Sequence, residues 1–473
     1  MMLLRAISLL LAGSAEAVEI RPGEIAAAVV CETNPQQSYA LYLPTSYRNA
    51  EGRRWPILFL LDARGRGAVA AERFREGAEA HGYILASSNN SASDGPLEPN
   101  IAAMRAMWDD THRRFAIDPK RVYAGGFSGG ARMACLLADT GRNAIAGVIG
   151  CGAGFPVGAS PRKDTPFLFF GAVGNTDFNY QEMRELDSSL GSLGIGHRLA
   201  VFPGGHQWPP PAVCLEAITW MELAAMKRGT RPRDLVFVES LARERLENAS
   251  ALEQGRRLVE AHRRYLEIAE DFEGLSDVSL ARSGTKRLEA SREFRAAKKE
   301  EVLRDEAERR SSKRLTELLA RALRGEDPIL PQQIVFELGV ADLRRRASLE
   351  KEEERLSAKR LLETLFVQTS FYLPRQYLER KDGRRASLCL EVAVALKPEL
   401  PGVWYDLACA RARSGEKRKA FAALREAIGK GFRDRAHIEK DPDLELLRGE
   451  AEYATILANL PAKEEALPRR PSR

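Results

Sequence analysis

The chain has 473 residues, a length that predicts two or three folding units rather than one. Its 72 lysine and arginine residues are nearly matched by 66 aspartate and glutamate residues, which leaves a net charge of +6. This balance, with no basic patch interleaved with aromatic residues, is typical of solvated helices and argues against nucleic-acid binding.

The first residues have the layout of a secretory signal peptide. Arg5 precedes a short apolar run, Ala6–Ala12, and Ala15 and Ala17 place small residues at the two positions that signal peptidase reads. The run is too short for a membrane anchor, and no later stretch predicts a membrane span. We therefore expect cleavage after Ala17 and a periplasmic or secreted protein; the alternative is a frayed N-terminal helix.

Strand and helix patterns alternate up to about residue 228, as an α/β fold with a mostly parallel sheet requires. The predicted strands are Ser38–Leu43, Pro56–Leu61, Tyr83–Ser87, Val122–Gly125, Ala146–Gly150, Pro166–Phe170 and Arg198–Phe202. The predicted helices are Val69–His81, Ile101–Phe115, Gly130–Asp139, Tyr180–Leu190 and Ala212–Lys227. We expect one α/β domain over residues 18–229, with helices on both faces of the sheet.

The composition changes after Gly229. Between about Leu235 and Lys381, Glu, Arg, Lys, Ala and Leu dominate, and the apolar residues recur at helical spacing. This pattern predicts a helical spacer or bundle over residues 230–383 and indicates no chemistry of its own.

Residues 384–460 follow a more specific helical pattern. Two predicted helices, Val403–Ser414 and Lys419–Ile428, are separated by a turn at Gly415 and resemble one tetratricopeptide repeat. The resemblance implies a surface for a protein partner. Because at least three units are normally needed for stability, the preceding helices are expected to supply the neighbours. Residues 461–473 are predicted to be a disordered tail.

The six cysteines are scattered and show neither a C-x-x-C pair nor the spacing of metal ligands. Cys31, Cys151 and Cys214 could supply one disulfide in an oxidising compartment, and the sequence does not choose the pair. No metal or cofactor is predicted.

Gly126-Phe127-Ser128-Gly129-Gly130 fits the pattern G-x-S-x-G between a predicted strand and a predicted helix. A sharp turn in that context strains the serine backbone and exposes its hydroxyl above the sheet. The start of the helix also directs N–H groups toward this position. Ser128 is therefore the predicted nucleophile; the alternative is a glycine-rich turn with an incidental serine.

A serine nucleophile needs a base, and in this arrangement the chain order is Ser, then Asp or Glu, then His. His206 follows the last predicted strand in a Gly-Gly-His loop and is the predicted base, whereas His197 lies at the opposite end of that strand. Asp177 follows the preceding strand and is predicted to orient the imidazole. Its alternative role is to cap the helix after Tyr180.

The tetrahedral oxyanion needs hydrogen-bond donors. The N–H of Gly129, next to the nucleophile, is one predicted donor. The other is expected in the loop after Pro56–Leu61, from Ala63 or Arg64.

Residues from about 38 to 227 resemble the esterase and polyhydroxybutyrate-depolymerase branch of the α/β-hydrolases. Three blocks in this order carry the resemblance: Ile117-Asp-Pro-Lys-Arg-Val-Tyr before the Ser128 pentapeptide, the Gly-x-x-Asp177 loop, and Gly-Gly-His206-Gln-Trp-Pro. The resemblance implies an α/β-hydrolase fold and hydrolysis of a carboxylic ester, small or polymeric, through an acyl-enzyme without metal or cofactor.

One segment departs from that branch. Where its members usually carry His-Gly after the apolar strand, this chain has Asp62-Ala63-Arg64-Gly65. A carboxylate beside a developing oxyanion is unfavourable unless it points away or pairs with Arg64. Three functions therefore stay open: a serine esterase, a peptidase of the same fold, and a binding scaffold whose hydrolase unit is vestigial. The filled Ser, Asp and His positions favour the first.

Overall fold

The structure is a computed structural model that describes residues 19–48, 52–93, 96–141, 143–324 and 330–460. The predicted signal peptide and the predicted disordered tail lie outside the described residues. Contacts divide the chain into two units. The first unit contains the described residues up to Gly174, together with Glu182–Phe202 and Gln207–Ala290. The second unit contains Asn175–Gln181, Pro203–His206 and the residues from Ser291 onward.

The first unit is built on an eight-stranded sheet with the order β1-β2-β4-β3-β5-β6-β7-β8. The strands are β1 (Ile25–Cys31), β2 (Asn34–Tyr42), β3 (Trp55–Leu61), β4 (Ile84–Ser88), β5 (Ile117–Phe127), β6 (Gly147–Cys151), β7 (Leu168–Gly174) and β8 (His197–Phe202). Strand β2 pairs antiparallel with β1 and β4, and every other pair in the sheet is parallel. All residues of β3 and of β7 are buried, which is why both strands read as continuous apolar runs.

Helices cover both faces of this sheet. The helices in this part of the chain are α1 (Gly67–His81), α2 (Leu97–Arg114), α3 (Gly129–Thr140), α4 (Tyr180–Ser192), α5 (Pro211–Lys227), α6 (Leu235–Gln254), α7 (Leu258–Phe272) and α8 (Ser279–Ala290). Leu58 and Leu60 pack in one core with residues of α1 and α5, while Ile57 and Phe59 pack in another with residues of α2. Successive side chains of a strand point to opposite faces, so a single strand serves both cores. The arrangement is that of an α/β-hydrolase, and the predicted fold class is confirmed.

The second unit is helical from Ser291 onward, as predicted. Its helices are α9 (Arg292–Arg324), α10 (Pro331–Glu337), α11 (Val340–Arg346), α12 (Glu352–Val367), α13 (Leu373–Glu379), α14 (Gly383–Leu396), α15 (Pro401–Arg413), α16 (Lys417–Gly429), α17 (Arg435–Lys440) and α18 (Ala451–Ala458). A π-helical turn, Gln368–Tyr372, joins α12 to α13, and a 3₁₀ helix, Pro442–Leu447, precedes α18. Gly415, with φ of +78°, forms the predicted turn between α15 and α16. The likeness of this helix pair to a tetratricopeptide repeat stays a prediction.

Two further features bear on the predicted export of the protein: the state of its cysteines and the hydropathy of its helices. All six cysteines lie in the described part of the chain, where they are buried and unbridged. Cys31, Cys151 and Cys214 therefore form no disulfide in this structure. Among the helices of the described ranges, none combines the length and the apolar character needed to cross a membrane.

Candidate active site

Ser128 occupies the turn between β5 and α3 by itself, because β5 ends at Phe127 and α3 begins at Gly129. Its backbone has φ of 56° and ψ of −120°, a conformation that residues other than glycine rarely adopt. The Ser128 N–H donates to the carbonyl of Cys151 at 2.8 Å, and the Ser128 carbonyl accepts from Ala131 N–H at 3.0 Å. The neighbouring strand and the first turn of the helix thus hold the serine in the geometry of a nucleophile elbow.

Glycines allow the start of α3 to lie directly against the sheet. A Cβ atom on Gly130 would lie 2.0 Å from the carbonyl oxygen of Leu61, and one on Gly126 would lie 2.4 Å from the carbonyl carbon of Gly130. Both obstacles are backbone atoms, which cannot rotate away as a side chain can. The tight turn at Ser128 therefore depends on glycine at both positions.

Ser93 brings together the two segments that carry the predicted oxyanion donors. Its N–H donates to the carbonyl of Ala63 at 2.9 Å, and a Cβ atom on Gly129 would lie 2.2 Å from the Ser93 Cβ. The N–H of Arg64, in contrast, donates to the Asp62 carboxylate at 2.8 Å. The N–H groups of Ala63 and Gly129 donate to no other described residue. Of the two donors predicted in this loop, only Ala63 retains an uncommitted N–H.

Asp62, the departure noted in the sequence, is a fully buried carboxylate. It pairs with Arg66 rather than with Arg64: Arg66 Nε and Nη2 lie 3.0 and 2.9 Å from its two oxygens. The indole N–H of Trp208 donates to the second oxygen at 2.8 Å. Burial acts to raise the pKa of Asp62, but the hydrogen bonds from Arg66, Trp208 and the backbone outweigh it and lower the pKa. The charge of Asp62 is thus compensated locally.

Asp177 and His206 meet in the second unit. Nδ1 of His206 lies 3.0 and 2.9 Å from the two carboxylate oxygens of Asp177, which is completely buried. The N–H of Asn179 donates to the same carboxylate at 2.8 Å, and the ring of Phe178 lies 4.3 Å from the imidazole ring. A carboxylate acceptor at Nδ1 makes that nitrogen the donor and leaves Nε2 able to accept a proton.

The loops that carry this pair are joined to each other. The N–H and the hydroxyl of Thr176 both donate to the carbonyl of Gly204, at 2.9 and 2.8 Å. In return, the Gly204 N–H donates to the side-chain oxygen of Asn175 at 3.1 Å. Sequence analysis missed the roles of Asn175 and Thr176. The only signal for them was that two small polar residues directly precede Asp177, while Gly204 and Gly205 directly precede His206. The two loops are therefore held in register by three hydrogen bonds.

A surface cavity of about 240 Å³ borders Thr176 in the second unit. Its lining combines charged and apolar side chains: Arg344, Lys359, Leu362, Glu363, Leu396 and Lys397. No group of three or more His, Cys, Asp or Glu residues in the described part of the chain is arranged to hold a metal ion.

The predicted residues thus fall into two sets. The first unit contains Ser128 and Gly129, and it brings Gly129 and Ala63 together through Ser93. The second unit brings Asp177 and His206 into contact.

Comparisons with known proteins give distant likenesses only. No family model and no curated protein matches the chain. Among solved structures, the chain is similar to a ferulic acid esterase, with 16% identity and a TM-score of 0.32 over 41% of this chain and 95% of the other. It is similar to a fluorophosphonate-binding serine hydrolase of Staphylococcus aureus, with 16% identity and a TM-score of 0.32 over 39% and 92%. An S-formylglutathione hydrolase of the same organism gives 17% identity and a TM-score of 0.32 over 42% and 98%. The assignment of the fold rests on the sheet and on the turn at Ser128, not on these likenesses.

Proposed function

We propose that this protein is a serine hydrolase that cleaves a carboxylic ester through an acyl-enzyme, with Ser128 as nucleophile, His206 as general base and Asp177 as its partner. The backbone conformation of Ser128 carries the proposal. A non-glycine residue in such a conformation costs roughly 1–3 kcal/mol, and strain of this kind is characteristic of functional sites. A serine held there between a buried strand and a helix supports a role for its hydroxyl.

The topology supports grouping the three residues. Ser128 follows β5, Asp177 follows β7 and His206 follows β8, and these strands are parallel members of one sheet. In α/β sheets, functional residues collect at the carboxyl ends of the strands. The hydrogen bond between Asp177 and His206 also supplies the orientation that a catalytic base needs.

The proposed reaction has two stages. The Ser128 hydroxyl attacks the acyl carbon while Nε2 of His206 accepts its proton, and Asp177 stabilises the resulting imidazolium. His206 then returns the proton to the departing alcohol as the acyl-enzyme forms. In the second stage, His206 takes a proton from water, the hydroxide adds to the acyl group, and the carboxylic acid is released as the proton returns to Ser128.

We assign the oxyanion contacts to the N–H groups of Gly129 and Ala63. Two observations support this choice: neither N–H donates to an acceptor among the described residues, and Ser93 lies against both segments. Asp62 does not oppose this role, because its charge is compensated by Arg66 and Trp208. The sequence departure at Asp62 was one of two reasons to consider a vestigial hydrolase, the other being the large helical half, and its local compensation weakens that first reason.

Three finer predictions accompany this proposal. A peptidase would use the same residues, so the ester preference is a prediction that a panel of matched ester and amide substrates tests. Export to the periplasm or beyond would be tested by N-terminal sequencing of the mature protein, which should begin after Ala17. A protein partner at residues 384–460 would be tested by capture on the full chain with helix α16 surface variants as controls.

The deciding experiment is labelling with a fluorophosphonate probe. The purified full chain should label, and Ser128→Ala and His206→Ala should each lower the labelling rate by a factor of about 10³ or more. Ser192→Ala and His437→Ala serve as matched controls, because Ser192 and His437 have exposed side chains outside the proposed triad. A folded wild-type protein that does not label, or a Ser128→Ala variant that labels as fast as wild type, would overturn the proposal.

A further inference from the structure

Arg360, on helix α12, contacts the segment that carries Asp177. Its Nη1 donates to the backbone carbonyl of Asn175 at 2.7 Å, and its guanidinium carbon lies 4.3 Å from the ring centroid of Tyr180. Asn175 and Tyr180 flank Asp177, two residues before and three residues after it. A single side chain from the C-terminal helices therefore contacts this segment on both sides of Asp177.

Arg360 is itself fixed by a buried partner. Its Nε and Nη2 donate to the two carboxylate oxygens of Glu308, on helix α9, at 2.6 and 2.5 Å. Arg360 is only 9% exposed and Glu308 only 6% exposed. Burial acts to raise the pKa of Glu308, and the contact with Arg360 more than offsets it, so that the pKa is lowered. A planar guanidinium with this two-point contact has little freedom to rotate.

Asn175 relays this anchoring to the base. Its backbone carbonyl accepts from Arg360, while its side-chain oxygen accepts from the N–H of Gly204, two residues before His206. Thr176 adds two further hydrogen bonds to the same Gly204. Arg360 is thus hydrogen-bonded directly to the segment before Asp177 and, through Asn175, to the loop that carries His206.

We propose that Arg360 is a positioning residue for the Asp177–His206 pair, so that helices α9 and α12 are a working part of the hydrolase rather than an appended binding module. This inference rests on the function proposed above. Catalytic groups must be held to within about 0.5 Å of their productive geometry, and a displacement of about 1 Å lowers rates by roughly 100-fold. The Arg360 guanidinium, fixed by Glu308 through Nε and Nη2, restrains the short polar loops through its Nη1 contact with Asn175.

The test compares two double variants of the full chain. Arg360→Met/Glu308→Met removes the anchor together with its buried counter-charge, and such apolar replacement of a buried pair is often neutral for stability. Arg411→Met/Glu391→Met is the matched control, because that pair joins α15 to α14 at 2.6 Å and contacts neither loop. Fluorophosphonate labelling, measured over a range of probe concentrations, separates the maximal rate kinact from the half-saturation constant KI.

We expect kinact of the Arg360→Met/Glu308→Met protein to fall by about 10- to 100-fold with KI within threefold of wild type. The control pair should keep both constants within twofold. Arg360→Lys keeps a charge opposite Glu308 but lacks the planar fork, so its kinact should be intermediate. If the double variant does not fold, as judged by circular dichroism, Arg360→Lys decides the question.

Each outcome separates the two proposals. Wild-type kinact in a folded Arg360→Met/Glu308→Met protein would overturn the positioning role and leave the hydrolase proposal intact. A rise in KI alone would also overturn it, because the helices would then shape probe binding instead of the reactive pair. Wild-type protein that fails to label would overturn the hydrolase proposal itself, and the positioning role with it.

Discussion

Asp62→Asn changes one atom of a buried carboxylate that accepts five hydrogen bonds, from the N–H groups of Arg64 and Arg66, two side-chain nitrogens of Arg66, and the indole of Trp208. In the best orientation of the amide, its oxygen keeps three donors: the two backbone N–H groups and Arg66 Nε. Its NH₂ group then faces two other donors, Arg66 Nη2 and the Trp208 indole. Both of those hydrogen bonds are lost.

The magnitude follows from how each donor can respond. Trp208 is 6% exposed, so its N–H becomes a buried donor without an acceptor, at a cost of roughly 1–3 kcal/mol. The Arg66 side chain is 45% exposed and regains water, so the loss of that screened ion pair adds only about 0.5 kcal/mol. We therefore expect Asp62→Asn to lower the free energy of unfolding by about 1.5–3.5 kcal/mol at pH 7.

The difference should depend on pH in a defined direction. Because the folded protein lowers the pKa of Asp62, the carboxylate contributes stability above its unfolded pKa of about 3.9, and this contribution is lost as the pH falls through the folded value. Asparagine does not titrate. The gap between wild type and Asp62→Asn should therefore be constant from pH 7 to about pH 5 and narrow at lower pH.

Urea denaturation followed by tryptophan fluorescence reports on the relevant unit, which contains four of the five tryptophans: Trp55, Trp108, Trp208 and Trp220. Asp164→Asn is the matched control, because the Asp164 side chain is 84% exposed and should change stability by less than about 0.5 kcal/mol. An Asp62→Asn protein as stable as this control, or a gap that widens as the pH falls below 5, would show that the charge of Asp62 does not stabilise the fold.

Three more outcomes are expected. Gly130→Ala should destabilise the protein by about 2 kcal/mol or more in urea denaturation, because the new Cβ would meet backbone atoms. Gly402→Ala, with open space around the new Cβ, should instead stabilise the protein by about 0.5 kcal/mol. Equal effects of the two substitutions would contradict this. A thiol reagent should titrate six free cysteines in denaturant without reductant. In the native state the reaction should be slow, because the cysteines are buried and burial raises the pKa of Cys31 to about 11. A count of four free thiols in denaturant would show that one disulfide is present. Thr176→Val removes the hydroxyl hydrogen bond between the loops that carry Asp177 and His206. It should lower the fluorophosphonate labelling rate by about 3- to 10-fold without changing the melting temperature by more than a few degrees.

Much of the sheet could be predicted because its strands are buried on both faces. A short, continuous apolar run such as the one in β3 is typical of a strand covered on both sides, and the glycines around Ser128 mark the turn that follows β5. Strand β1 was missed. Its sequence, Ile-Ala-Ala-Ala-Val-Val-Cys, shows no alternation, and its pairing with β2 is interrupted by register shifts. Edge strands of this kind leave a weak pattern because only part of each face is covered.

The contacts that hold the loops of Asp177 and His206 could not be predicted. Arg360 and Glu308 lie in helices rich in both residue types, where nearly every charge belongs to a solvated face. Arg360 is also 185 residues from Asn175, and no local pattern encodes a contact at that separation. The partner of Asp62 could not be predicted for a different reason. Whether the side chain of Arg64 or of Arg66 pairs with its carboxylate depends on the path of the turn that follows β3.

The left-handed backbone at Ser128 makes serine less favourable than glycine for the stability of the fold at this position. Glycine adopts φ of 56° and ψ of −120° without the penalty that serine meets, so Ser128→Gly should leave a more stable protein that lacks the proposed nucleophile. The serine hydroxyl in this turn therefore comes at a cost to the stability of the fold, and the difference in melting temperature between wild type and Ser128→Gly measures that cost.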